Sequence, residues 1–126
     1  MNKIIRLLMV FVGISGCFSV LFGAWLAHAG QGLTERTQLS LDTALQYQLF
    51  HTLALFGCII LAKIQPPSRL LLAACIGYVL GILCFSGTIY LKSFFELPLL
   101  AKLTPFGGIS FALAWLLLAF EGKNTL

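Results

Sequence analysis

Four long apolar stretches, with Lys and Arg gathered at their ends, decide what this chain can fold into. They cover about residues 4–27, 43–63, 70–91 and 104–120, so 126 residues leave only short connections between them. A helix that crosses a bilayer needs roughly 20 consecutive apolar residues, and each stretch supplies about that many. Charged residues make up only 10% of the chain, whereas a soluble domain carries about 25%. So few charges cannot coat a globule in water. The expected fold is therefore an all-α membrane protein, a single domain of four transmembrane helices in a compact bundle.

The connections read as follows. The first run is interrupted only by Arg6. Asp42 is a natural N-cap for the second run, which ends at Lys63 before Pro66 and Pro67, residues that cannot continue a helix. Thr104-Pro105 reads as a cap followed by a first-turn proline for the fourth run, which closes near Phe120. The polar connection before Asp42 carries Leu33, Leu39 and Leu41, a spacing that suits a short amphipathic helix on the bilayer surface.

Sidedness follows from the basic residues. With both termini cytoplasmic, Lys3, Arg6, Lys63, Arg69 and Lys123 face inward. Arg36, Lys92 and Lys102 then face outward, balanced by Glu35, Asp42 and Glu96. Ile14-Ser15-Gly16-Cys17 has the look of a lipoprotein processing site, and Ala27-His28-Ala29-Gly30 that of a signal-peptidase site. The apolar run passes straight through Cys17 to an ordinary span length, so an unprocessed first helix is expected, which an intact mass would test.

Lipid tails are as apolar as leucine, so small residues and polar groups must hold the spans together. The first span offers Gly13, Gly16 and Gly23 at helical spacing, the third Gly77, Gly81 and Gly87, and the fourth Gly107 and Gly108. These are the expected packing positions. The four cysteines lie within apolar runs without a C-x-x-C and read as small core residues.

The intramembrane polar residues gather toward one side: His28 at the end of the first span, Tyr47, Gln48 and His51 opening the second, Ser86 and Tyr90 in the third, Thr104 at the fourth. The other half holds little beyond Tyr78, and no carboxylate falls within the expected spans. A polar side chain without a partner is costly in lipid, so these groups should turn inward. Two readings follow. The cluster is either a latch in which the helices bond one another, which we prefer, or a small-molecule or lipid site built on His51, Gln48 and His28. Catalysis has least support, since no nucleophile, histidine and acid fall together, and no catalytic residue is assigned. Two histidines at different depths make a poor metal or haem site, so no metal or cofactor is expected. No basic stripe suggests nucleic acid. The expected partners are the lipid bilayer and either a second copy of the chain or another membrane protein.

Four segments together resemble a known family: FGAWLAHAG (22–30), ALQYQLFHTLAL (44–55), GILCFSGTIYL (81–91) and LTPFGGISFALAWLLLA (103–119). They are similar to the domain of unknown function 423 family, the YgdD-like small four-span proteins of bacterial inner membranes, and to the transmembrane protein 256 group of eukaryotes. His28 matches the family histidine in the first segment, although Trp25 and Leu26 stand where members carry phenylalanine and glycine. Tyr47, Gln48, Phe50 and His51 match in the second, Ser86, Gly87 and Tyr90 in the third, and Thr104, Pro105, Gly107 and Gly108 in the fourth. The resemblance implies the four-span architecture and a plasma-membrane location, and carries no reaction, substrate or cofactor.

Overall fold

The computed structural model describes residues 2–125. The first helix, α1 (Asn2–His28), has no proline to stop it and ends in a 3₁₀ turn at Ala29–Gly32. Thr34 then starts α2 (Glu35–Ile64), its hydroxyl accepting the Thr37 N–H at 3.3 Å. Gln65 and the two prolines end α2, and Ser68 caps α3 (Arg69–Gly81) by accepting the Leu71 N–H at 3.0 Å. A π-helical turn at Ile82–Gly87 joins α3 to α4 (Thr88–Phe95) without a break. Glu96 leaves that helix in the left-handed conformation at φ 50°. A 3₁₀ turn at Pro98–Lys102 leads into α5 (Thr104–Thr125).

Four helical segments, Asn2–Gly32, Glu35–Ile64, Arg69–Phe95 and Pro98–Lys123, are each long and apolar enough to cross a membrane. The outer surface is correspondingly greasy: Leu21, Phe50, Leu53 and Phe106 are all at least 60% exposed. One end of the bundle, the terminal end, carries both chain ends and the α2–α3 connection. The distal end carries the 29–34 and 96–103 connections.

Some boundaries differ from those expected. No helix breaker separates residues 35 and 43, so the anticipated surface helix is simply the start of α2. Leu41 is fully buried there, and Asp42 is an interior residue rather than a cap. At 1.5 Å per residue the 30 residues of α2 reach about 45 Å, beyond the ~30 Å hydrocarbon layer. Its first turns hold Glu35, Arg36 and Asp42, so they are the part whose composition suits the headgroup region. Thr104 is the first residue of α5, with Gly107 N–H bonding to Leu103 O at 3.1 Å, so Leu103 occupies the capping position. The last helix also continues past Phe120.

The helices meet in a chain of neighbours: α1 on α2, α2 on α3 and the π turn, and α5 on α3 and the π turn. The closest approaches use glycine. A Cβ on Gly77 would lie 3.0 Å from the Ala114 Cβ, and one on Gly81 would enter the Phe111 ring. A Cβ on Gly107 would sit 2.7 Å from the Cys84 carbonyl carbon, against backbone that cannot swing aside. Gly23 meets only a flexible Leu45 methyl, and at Gly87 the nearest neighbour is in ordinary contact. Gly13, Gly16 and Gly108 differ from expectation: a Cβ there would meet nothing within 4 Å among the described residues, so none of the three makes a close approach to them.

Candidate functional site

The polar residues of α2 sort onto two faces by helical geometry. Gln48 and Thr52, four apart, look toward α1 and α4, while Tyr47 and His51 are turned toward α5.

On the first face the hydrogen bonds run in one direction. Thr52 Oγ1 donates to the Gln48 carbonyl at 2.6 Å, because a carbonyl only accepts. Ser15 Oγ of α1 therefore donates to Thr52 Oγ1 at 2.7 Å and accepts from Gln48 Nε2 at 2.9 Å. Tyr90 Oη of α4 donates to Gln48 Oε1 at 2.6 Å. Gln48 is thus the hub of a bond chain that ties three helices together. Ser19 bonds back to the Ser15 carbonyl at 2.8 Å. Ser86 reaches across to the Ala44 carbonyl of α2 at 2.6 Å.

On the second face, His51 Nδ1 lies 2.6 Å from the Tyr47 carbonyl and so carries the ring proton. Its Nε2 accepts the indole N–H of Trp115 at 3.0 Å. The Phe111 ring stacks on the imidazole, centroids 3.7 Å apart at 13°. Both ring nitrogens are occupied, which leaves no lone pair for a metal or a transferable proton. Tyr47 stacks on Phe85 of the π turn at 4.7 Å, with its side chain partly open to the surroundings.

The expected cluster is therefore not one site. Gln48 and Tyr90 meet on one face, and Tyr47 and His51 on the other. Ser86 spends its hydroxyl on the Ala44 carbonyl, and Thr104 bonds Thr88 at 2.7 Å near the distal end. His28 departs most from expectation. It sits exposed at the last residue of α1, and its side chain makes no hydrogen bond among the described residues, because the helix ends there with the ring turned outward.

Three features were not anticipated. Ser15 belongs to the cluster, and its signal was the Ser15–Ser19 pair four apart in an otherwise apolar run. Trp115 of α5 supplies the donor to His51. Glu121 is only 1% exposed, although no carboxylate was expected within a span. Its Oε2 accepts from Ser68 Oγ and its Oε1 from Gln65 Nε2 at 3.4 Å, which fastens the α2–α3 connection to the terminal end of α5. Deeper in the core, Tyr78 is fully buried, with a hydroxyl that makes no hydrogen bond among the described residues. Cys58 and Cys75 are buried free thiols, while Cys17 is exposed and Cys84 half-buried.

Residues 22–108 match the family described as "Protein of unknown function (DUF423)". The chain is 35% identical over 114 residues to a UPF0382 membrane protein of Haemophilus influenzae, covering 89% of this chain and 90% of that protein. It is 34% identical over 114 residues to the UPF0382 inner membrane protein YgdD of Escherichia coli K12, covering 90% of this chain and 86% of that protein. A UPF0382 membrane protein of Bacillus subtilis, YwdK, is 28% identical over 123 residues, 96% of this chain and 99% of its own length. No solved structure matches the chain.

Proposed function

The chain belongs to the DUF423 family of membrane proteins, and from that premise we propose a structural or accessory role, without catalysis, for its intramembrane bundle. The polar cluster is a latch that sets the relative positions of the helices. The observation that carries this reading is saturation: the hydroxyls of Ser15, Thr52 and Tyr90, the carbonyl oxygen of the Gln48 side chain and both nitrogens of His51 are each bonded to another part of the chain. A site for chemistry or transport would keep at least one of these groups turned into open space. The protein sits in the bacterial plasma (inner) membrane, the location of its Escherichia coli relative, an inner membrane protein by name. Both termini are cytoplasmic, a placement supported by the five basic residues Lys3, Arg6, Lys63, Arg69 and Lys123 at the terminal end.

A double-mutant cycle in detergent tests the latch. Gln48→Leu leaves the Tyr90 hydroxyl without an acceptor and Ser15 without a donor, which costs about 2–4 kcal/mol of unfolding free energy. Adding Tyr90→Phe removes one of those stranded groups, so the double variant should be more stable than the sum of the two singles predicts, by about 1 kcal/mol. Additive losses, or a Gln48→Leu protein as stable as the parent, would refute the latch.

A further inference from the structure

Two cavities stand one above the other along the line where α2 faces α5. The upper one, of 770 Å³, opens at the distal end and is walled by Arg36, Ser40 and Thr43 of α2, Lys92 of α4, Glu96 and Thr104. The lower one, of 740 Å³, is lined by Tyr47, Phe50, His51, Gly108, Phe111 and Trp115, among others. The register joins them. Thr43 in the upper wall is followed one turn later by Tyr47 in the lower wall, and Thr104 by Gly108, so both cavities share the same faces of the same two helices.

Their chemistry differs in the way an amphiphile does. The upper chamber lies beside the first turns of α2, in the headgroup region. The side chains of its two cations, Arg36 and Lys92, make no hydrogen bond or ion pair among the described residues, and Glu96 is the one acid on the wall. The excess is one positive charge, set among the hydroxyls of Ser40, Thr43 and Thr104. The lower chamber is mainly hydrocarbon and aromatic. Its deep polar groups are already used, since Trp115 bonds His51 and His51 bonds Tyr47. From Thr43 to Ala54 the seam runs about 16 Å at 1.5 Å per residue, which is half of a ~30 Å hydrocarbon layer, or one leaflet.

We propose that this seam holds one anionic glycerophospholipid, its phosphate between Arg36 and Lys92 and one acyl chain in the groove between α2 and α5. Two positive groups around a phosphate form charge-assisted bonds that are strong where water is scarce. The single net positive charge selects a head with a net charge of −1 over a zwitterionic one. The groove takes the chain because α5 packs its backbone closely on α3 and meets α2 through the side chains of Phe111 and Trp115 at His51. The seam meets the latch only at the His51 face, whose nitrogens are already bonded, and no residue of the Ser15–Gln48–Tyr90 chain lines either cavity.

The test uses the full chain, stripped of lipid in detergent and then offered palmitoyl-oleoyl phosphatidylglycerol, phosphatidylethanolamine with the same chains, or inorganic phosphate. Native mass spectrometry counts what is retained. One phosphatidylglycerol should bind per chain, at least about tenfold more tightly than phosphatidylethanolamine. The double variant Arg36→Gln/Lys92→Gln should lose about tenfold or more, and Ala112→Phe, which fills the groove, should lose as much. Gly108→Leu fills the same groove from a position with open space around it, and stands in if Ala112→Phe melts below the parent. Lys102→Gln, a distal cation outside the chamber wall, should change nothing. Equal retention of phosphatidylethanolamine overturns the charge selection. Groove-filling variants that still bind phosphatidylglycerol normally overturn the seated chain. Inorganic phosphate that displaces the lipid completely at similar concentration shows a free-anion site and overturns the lipid assignment.

Discussion

Gly107→Ala and Gly108→Ala are the same chemical change at adjacent positions of α5, and the structure assigns them opposite outcomes. A methyl at 108 meets nothing within 4 Å. Alanine there gains up to about 1 kcal/mol of helix propensity and loses nothing. A methyl at 107 would lie 2.7 Å from the Cys84 carbonyl carbon and 2.8 Å from the Phe85 Cα, and closer still to the Phe85 nitrogen. These are main-chain atoms of the π turn, so no rotamer change relieves the clash. Ordinary contact requires α5 and the π turn to separate by about 1 Å. Overpacking of this kind costs about 1–3 kcal/mol. The same opening stretches the Thr88–Thr104 bond, now 2.7 Å, for about 1 kcal/mol more. Set against the propensity gain, Gly107→Ala should lose about 1–3 kcal/mol, placing the two variants about 2–4 kcal/mol apart. Thermal unfolding in a mild detergent, followed by circular dichroism, measures the difference. Equal melting temperatures for the two variants would refute the close approach of α5 to the π turn.

Two further substitutions probe the ends of the helices. Ser68→Ala removes both the cap on Leu71 N–H and the donor to the buried Glu121 carboxylate. It should cost about 2–4 kcal/mol, while Ser68→Thr, which keeps both bonds, should stay close to the parent in the same melt. Glu96→Gly relieves a left-handed residue at φ 50° and should raise the melting temperature, by about 1 kcal/mol of stability; a lower melting temperature would show that the Glu96 side chain contributes more than its backbone costs.

The architecture was legible because hydropathy and length act over twenty residues at a time, and no side-chain detail is needed to count four spans. Boundaries depend on single residues, and there Thr34 and Asp42 looked alike. Both are good caps, and only the absence of a breaker between them makes Thr34 the one used. The cluster on α2 was visible by composition, but its division was not. Gln48 and His51 are three apart and share a stripe on a helical wheel. Which neighbour each one meets depends on where α1, α4 and α5 stand, a tertiary property. His28 was placed in the cluster by depth alone, and a residue at the last position of a helix has no helical phase to direct it inward. Glu121 escaped notice for the opposite reason: a carboxylate reads as the end of a span unless its partners are known. Those partners, Ser68 and Gln65, lie more than fifty residues away in sequence.

The π turn at Ile82–Gly87 fixes the length of the third span to the residue. A π turn closes i→i+5 instead of i→i+4 and so absorbs one extra residue. Before it, Gly77 and Gly81 present the span to α5; after it, Tyr90 presents the span to Gln48 of α2. One helix therefore serves two different partners, and the extra residue is what changes its phase between them. Wound as a regular α-helix with that residue kept, the same sequence would turn everything beyond this point by about 100°. Tyr90 would then point away from Gln48, and Lys92 away from Arg36. The third span thus behaves as a keyed shaft, in which losing the wide turn while keeping its extra residue would disconnect two sites at once.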